Sequence, residues 1–251
     1  MRQPVHGLRA GLDAIFLAAA VPAAGPSAPT VLDAGAGCGI VGLAIARRCA
    51  GALVTAVEIE PVLARLARHN ARANDLASRV SVVEADLTRP VSEIAELEPR
   101  VGHFDHVVAN PPYFDTSRVR VPREETRARA MTLETGGLER WLRFLAAMAG
   151  PDGRLTMIHR ACDLEAVLAA ADGRFGALTV FPLFPRAGAP AHRIIVTGVR
   201  GSRAPLRLLA GMALHDASGR FLPEASRILR EGAPLPLATD REPDTSRLPS
   251  S

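Results

Sequence analysis

Short apolar runs of strand length alternate along this chain with stretches of helical period. The runs Thr30 to Asp33, Ala52 to Val57, Val80 to Val83, Phe104 to Ala109, Arg154 to His159, Ala177 to Phe181 and Arg193 to Val199 are largely β-branched and too short for stable helices. Between them, Ile40 to Cys49, Pro61 to Asn74, Leu138 to Ala149 and Leu164 to Ala171 repeat apolar residues near the 3.6-residue period of a helix. Such alternation predicts an α/β fold, a mostly parallel sheet covered by helices on both faces. Beyond Gly201 come an apolar patch from Leu206 to Leu214, a turn at Asp216 to Gly219 and a short helix from Pro223 to Arg230. The polar tail from Ala238 is expected to be disordered. No internal repeat is visible. The pattern predicts one domain over residues 1–237, with an N-terminal helix or lid in 1–29, a core in 30–200 and an extension in 201–237.

The segment Leu12 to Ala24, preceded by Arg2 and Arg9, superficially imitates a secretory signal. Asp13 interrupts it, and the uninterrupted apolar stretch Ala14 to Val21 is short, so a helix packed on the sheet is expected instead. No stretch is long enough to span a bilayer, and the chain reads as soluble and cytoplasmic. Length and a hydrophobic content of 48% suit a domain that buries about 70 to 75% of its unfolded surface. All 30 basic residues are arginine, which a coding bias explains as readily as function, so the net charge of +4 does not by itself identify an anionic partner. Cys38, Cys49 and Cys162 form no C-x-x-C pair and leave an odd count. Neither a disulfide framework nor a metal site is expected.

The chemistry gathers where strands end. The first strand runs into Asp33-Ala34-Gly35-Ala36-Gly37-Cys38-Gly39, whose glycines allow a tight turn and close approach by a ligand. Residues 37–42 also satisfy G-x-G-x-x-G, the pattern of a dinucleotide site. Asp33 argues against that reading, because a carboxylate there repels pyrophosphate but suits a ligand with an ammonium group, and adenosylmethionine carries both an ammonium and a sulfonium. Glu58 ends the second strand, where a carboxylate can accept both hydroxyls of a ribose. The third ends in Glu84-Ala85-Asp86-Leu87: an acceptor there can take an adenine amino group, and Ile59 and Leu87 can sandwich the ring. Each acid taken singly is more often a solvated loop charge; recurrence at successive strand ends is what argues for a site.

Asn110-Pro111-Pro112-Tyr113 follows the run Phe104 to Ala109. The prolines hold φ near about −65° and lack N–H donors, so the Asn110 amide oxygen and the Pro111 carbonyl can face a ligand without a competing donor. Tyr113, the single tyrosine, adds a flat face. Together they suit a planar group bearing an NH2. Ordinary turn chemistry after a strand would use the same residues.

Residues 31–39 (Val-Leu-Asp-Ala-Gly-Ala-Gly-Cys-Gly), 57–61 (Val-Glu-Ile-Glu-Pro), 84–87 and 110–113, in this order, resemble the class I adenosylmethionine-dependent methyltransferases of the Asn-Pro-Pro-Tyr type. Residues 9–19 (Arg-Ala-Gly-Leu-Asp-Ala-Ile-Phe-Leu-Ala-Ala), 153–160 (Gly-Arg-Leu-Thr-Met-Ile-His-Arg) and 201–209 more narrowly resemble the bacterial tRNA1(Val) adenine-37 N6-methyltransferase family. The resemblance implies a Rossmann-like, seven-stranded sheet with an antiparallel last strand. It also implies that Gly11 and Asp13 close over the methionine end of adenosylmethionine, and that Asp33, Gly35, Gly37, Gly39, Glu58, Ile59, Asp86, Leu87 and Asn110 bind it, with Asp33 toward that same charged end. Leu8 departs from the aromatic residue found in many relatives. Asn110, Pro111, Pro112 and Tyr113 would form the catalytic turn, with the target an adenine N6 in RNA, most naturally tRNA. Tyr113 and Phe114 would stack on the base, and Arg118, Arg120 and Arg123 would meet phosphates of the same RNA. Methylation of guanine N2 in ribosomal RNA or of a protein glutamine uses similar geometry. A noncatalytic nucleotide-binding module would keep Gly37 and Glu58 but would not need residues 110–113.

Overall fold

The computed structural model describes Arg2 and residues 11–23, 28–112 and 137–237. The tail from Ala238 lies outside them. Among the described residues nine strands form one sheet: β1 (Thr30–Ala34), β2 (Leu53–Glu58), β3 (Val80–Glu84), β4 (Phe104–Ala109), β5 (Ala149–Arg160), β6 (Phe175–Arg186), β7 (Arg193–Arg200), β8 (Arg207–Leu208) and β9 (Met212–His215). The order is β3-β2-β1-β4-β5-β7-β6-β8, and β9 also pairs with β6. The first five strands run parallel, while β7 is antiparallel to both β5 and β6. The expected seven-stranded sheet with one reversed strand is therefore present, and the C-terminal extension adds β8 and β9 beside β6.

Six α-helices cover the sheet among the described residues: α1 (Leu12–Ala20), α2 (Ile40–Arg48), α3 (Pro61–Ala73), α4 (Gly137–Met148), α5 (Leu164–Ala171) and α6 (Pro223–Glu231). Strand alternation sorts side chains to two faces. Val31, Val108 and Ile158 meet Phe16 and Leu17 of α1, Ile45 of α2 and Ile228 of α6, whereas Leu32, Val107, Ala109, Leu155 and Met157 meet Trp141, Leu142 and Leu145 of α4 and Val167 of α5. α3 buries a stripe of small residues, Ala64, Ala67 and Ala71, which brings its backbone close to its neighbours.

Several predicted boundaries shift. β5 begins at Ala149 rather than Arg154, because Ala149 already pairs with Phe104 before a register irregularity. β6 runs through Pro182 and Pro185 to Arg186 because β7 pairs along it as far as Leu183 and β9 takes over to Arg186. α1 stops at Ala20, with Arg48 Nη2 donating to the carbonyls of Ala18 and Val21 at its end. No helix among the described residues is long and apolar enough to cross a membrane.

Candidate active site at the carboxyl edge of the sheet

Chain order reverses between β1 and β4, so a crevice opens at their carboxyl ends, where open α/β sheets bind ligands. The register aligns Ala34 with both Val57 and Ala109, and Glu58 with Glu84. Four neighbouring strand ends therefore present Glu84, Glu58, Asp33 and Asn110 along one edge.

The turn after β1 explains its glycines. Gly35, Gly37 and Gly39 have φ of +66°, +57° and +86°, a region that side chains disfavour. Gly35 is further constrained, since a Cβ there would lie 2.4 Å from Trp141 Cη2. Among the described residues a Cβ on Gly37 would meet nothing within 4 Å. Gly39 begins α2 in the left-handed conformation.

The two central acids are buried and differently engaged. Glu58 Oε2 accepts a hydrogen bond from Gly37 N at 2.7 Å and Oε1 accepts one from Glu60 N at 2.9 Å. A carboxylate has about four acceptor sites, so two remain for a ligand's hydroxyls. Asp33, 1% exposed, accepts from Gly42 N at 2.9 Å and so caps the first turn of α2. Burial raises its pKa to about 7; the Gly42 hydrogen bond opposes this and the nearby Glu58 charge adds to it. A cation bound between these carboxylates would relieve that cost.

The remaining expected residues are distributed around this pair. Ile59, next to Glu58 in the chain, exposes 45% of its surface, while Leu87 is buried in the core with Val57 and Val83. Asp86 Oδ1 is occupied locally, accepting from Thr88 N at 2.9 Å and Thr88 Oγ1 at 2.6 Å. Asn110 and Pro112 are half-buried and Pro111 is buried. Gly11 begins α1, and Asp13 Oδ2 pairs with Arg193 Nε at 2.8 Å, tying that helix to the start of β7. The end of β5 is held by Asp163, which pairs with Arg160 at 2.7 Å and lies 2.9 Å from His159 Nδ1. Tyr113, Phe114, Arg118, Arg120 and Arg123 lie outside the described residues.

Two residues important to this geometry escaped the sequence reading. Trp141 closes the back of Gly35. Asn70, on α3, donates to Cys38 O at 2.9 Å within the glycine turn. Its position was a legible signal, because Asn70 interrupts the otherwise small and apolar buried stripe of Ala64, Ala67 and Ala71. Among the described residues no group of three or more His, Cys, Asp or Glu could hold a metal ion.

The profile of the methyltransferase small domain matches residues 13–138. A tRNA1(Val) (adenine(37)-N6)-methyltransferase of Porphyromonas gingivalis is 34% identical over 155 residues, covering 60% of this chain and 58% of that protein. One from Shewanella amazonensis is 39% identical over 133 residues, 53% of this chain and 51% of its own. This chain thus spans between half and three fifths of the length of those two relatives. A protein of the same name from Aeromonas hydrophila is 32% identical over 220 residues, 85% of each chain. Among solved structures, a predicted O-methyltransferase from Agrobacterium tumefaciens superposes with a TM-score of 0.74 at 32% identity, covering 89% of this chain and 98% of that one.

Proposed function

The chain belongs to the methyltransferase small-domain family, and from that premise we propose that it methylates the exocyclic N6 of an adenine in RNA, a tRNA by the kinship above, with adenosylmethionine as donor in the cytoplasm. The observation that carries this reading is the placement of Asn110, with its two following prolines, on the strand end next to the one that carries Asp33 and the glycine turn. An acceptor turn in which Pro111 and Pro112 lack backbone donors adjoins a cation-favouring, ribose-accepting crevice.

The donor residues fit adenosylmethionine. Glu58 offers its remaining acceptor sites to the ribose hydroxyls, Ile59 offers an exposed apolar face to the adenine, and Asp33 supplies negative charge toward the methionine end. When bound, adenosylmethionine supplies an electrophilic methyl group on its sulfonium. The target N6 is a poor nucleophile because its lone pair is delocalised into the ring. The Asn110 side-chain oxygen and the Pro111 carbonyl would accept hydrogen bonds from its two N–H groups, drawing the nitrogen toward tetrahedral geometry and holding its lone pair toward the donor. Methyl transfer to N6 would leave the donor as its thioether, and the N6 proton would be lost to solvent afterwards. No general base is needed before transfer. Tyr113 and Phe114 stack on the extruded base, at about 1 to 3 kcal/mol per stack, and Arg118, Arg120 and Arg123 hold flanking phosphates.

Total RNA from a strain lacking this gene, incubated with the protein and labelled methyl donor and then digested to nucleosides, tests the assignment. N6-methyladenosine in the tRNA fraction is the expected product. Label in N2-methylguanosine of ribosomal RNA, or in protein glutamine when extract replaces RNA, would move the substrate to that class.

A further inference from the structure

Asn70 is wholly buried on α3, and its side-chain amide is used outside its own helix. Nδ2 donates to Cys38 O and to Arg2 O, each at 2.9 Å, and Oδ1 accepts from Arg2 N at 2.7 Å. Both amide protons are thereby committed. The Cys38 carbonyl belongs to the same short stretch whose Gly37 N–H is held by Glu58 Oε2 at 2.7 Å. Gly37-Cys38 is thus clamped from two sides, at one N–H by a carboxylate from β2 and at one carbonyl by an amide from α3. The flanking glycines at φ of +57° and +86° have wide conformational freedom, so this stretch depends on external clamps to keep one arrangement. α3 is close enough to act because its facing residue is small: a Cβ on Gly39 would lie 3.2 Å from Ala67 Cβ. Toward Arg2, the Asn70 amide pairs with both the N–H and the C=O of one residue, as a neighbouring strand's backbone would.

We propose that Asn70 is a positioning residue for the methyl-donor site, and that it couples docking of the chain at Arg2 to donor affinity. This rests on the reading that the glycine turn and Glu58 hold the donor. Asn70 sets the Cys38 carbonyl, the Cys38 carbonyl sets the turn, and the turn's Gly37 N–H orients the Glu58 carboxylate toward the ribose. Because Asn70 acts through these groups and not on the reacting nitrogen, its loss falls on donor binding and spares turnover at saturating donor.

The test uses the full chain with calorimetry of adenosylmethionine and adenosylhomocysteine and steady-state kinetics on RNA. Asn70→Ala is expected to raise donor Kd and KM by about tenfold or more while kcat at saturating donor stays within about threefold. Arg2→Pro removes the N–H that Asn70 Oδ1 accepts but leaves the Cys38 bond and the core intact. It is expected to raise donor Kd by about threefold with an unchanged melting temperature, and to add little when combined with Asn70→Ala. If Asn70→Ala does not fold, Arg2→Pro carries the test. Wild-type donor affinity in a folded Asn70→Ala overturns the positioning role, and wild-type affinity in Arg2→Pro overturns the coupling. Failure of the wild-type chain to bind either donor or product overturns the methyltransferase reading itself, an outcome separate from wild-type binding with unaffected variants.

Discussion

Asp33 Oδ2 accepts a hydrogen bond from Gly42 N at 2.9 Å, so the carboxylate that ends β1 also caps the helix beginning after the glycine turn. Gly42 makes this possible, since a Cβ there would stand 2.9 Å from Val54 Cγ1 and 3.1 Å from Asp33 Oδ2. The cap leaves an acid fully buried, and burial raises its pKa from 3.8 to about 7. Between those values the folded protein keeps a proton that the unfolded chain has released. Stability from this group is therefore full below about pH 4 and is lost as pH rises through 7, at about 1.4 kcal/mol per unit of pKa difference. Asp33→Asn keeps an oxygen for Gly42 N but cannot titrate. Thermal melts should show its advantage over wild type growing from pH 5 to 7 and levelling above 8; parallel curves across that range would contradict the buried titration. Donor affinity should rise with pH through 7 in the wild type, with proton release seen by calorimetry in buffers of different ionisation enthalpy, and this dependence should vanish in Asp33→Asn.

Glu58 holds Gly37 N and Glu60 N with its two oxygens, and in the proposed function it also accepts the donor's ribose hydroxyls. Glu58→Ala should weaken adenosylmethionine binding by about 1.5 to 3 kcal/mol per charge-assisted hydrogen bond lost. NAD should bind neither protein, since Asp33, present in both, disfavours pyrophosphate at this turn. Tight NAD binding with no adenosylmethionine binding in the same calorimeter would refute the donor assignment.

In the proposed mechanism the Asn110 amide acts on the target nitrogen more than on the donor. Asn110→Ala should leave donor Kd within about twofold and lower turnover on RNA by 100-fold or more, on the order of 3 kcal/mol. Single-turnover rates at saturating donor provide the measurement, and a wild-type rate would remove Asn110 from the reaction.

Gly35 and Trp141 test the packing behind the site. Gly35→Ala combines a left-handed φ of +66° with a 2.4 Å approach to Trp141 Cη2, and should destabilise the fold by about 1 to 3 kcal/mol. In a Trp141→Leu background Gly35→Ala should cost less, because the clash is relieved while the backbone strain remains. Denaturant midpoints falling as far on adding Gly35→Ala to Trp141→Leu as on adding it to the wild type would show that Trp141 is not the obstacle.

Much of the fold and part of the site lay open in local pattern. Phe104–Ala109 and Leu164–Ala171 fold over the same residues that their periodicity marks, and Asp33, Glu58 and Asn110 come together because parallel strands of similar length, aligned in register, put their ends on one edge. Tertiary structure decided what depends on partners distant in the chain. β8 and β9 are too short and too ordinary in composition to be read as strands, and they exist because β6 offers an unpaired edge. Asp13 meets Arg193 across 180 residues, and Asn70 reaches Arg2 and Cys38 across 68 and 32. Periodicity records which face a residue turns toward the core, since that follows from the backbone repeat. It carries no record of which remote carbonyl or carboxylate waits there, because that pairing is settled only when the sheet closes and the desolvated groups must find partners.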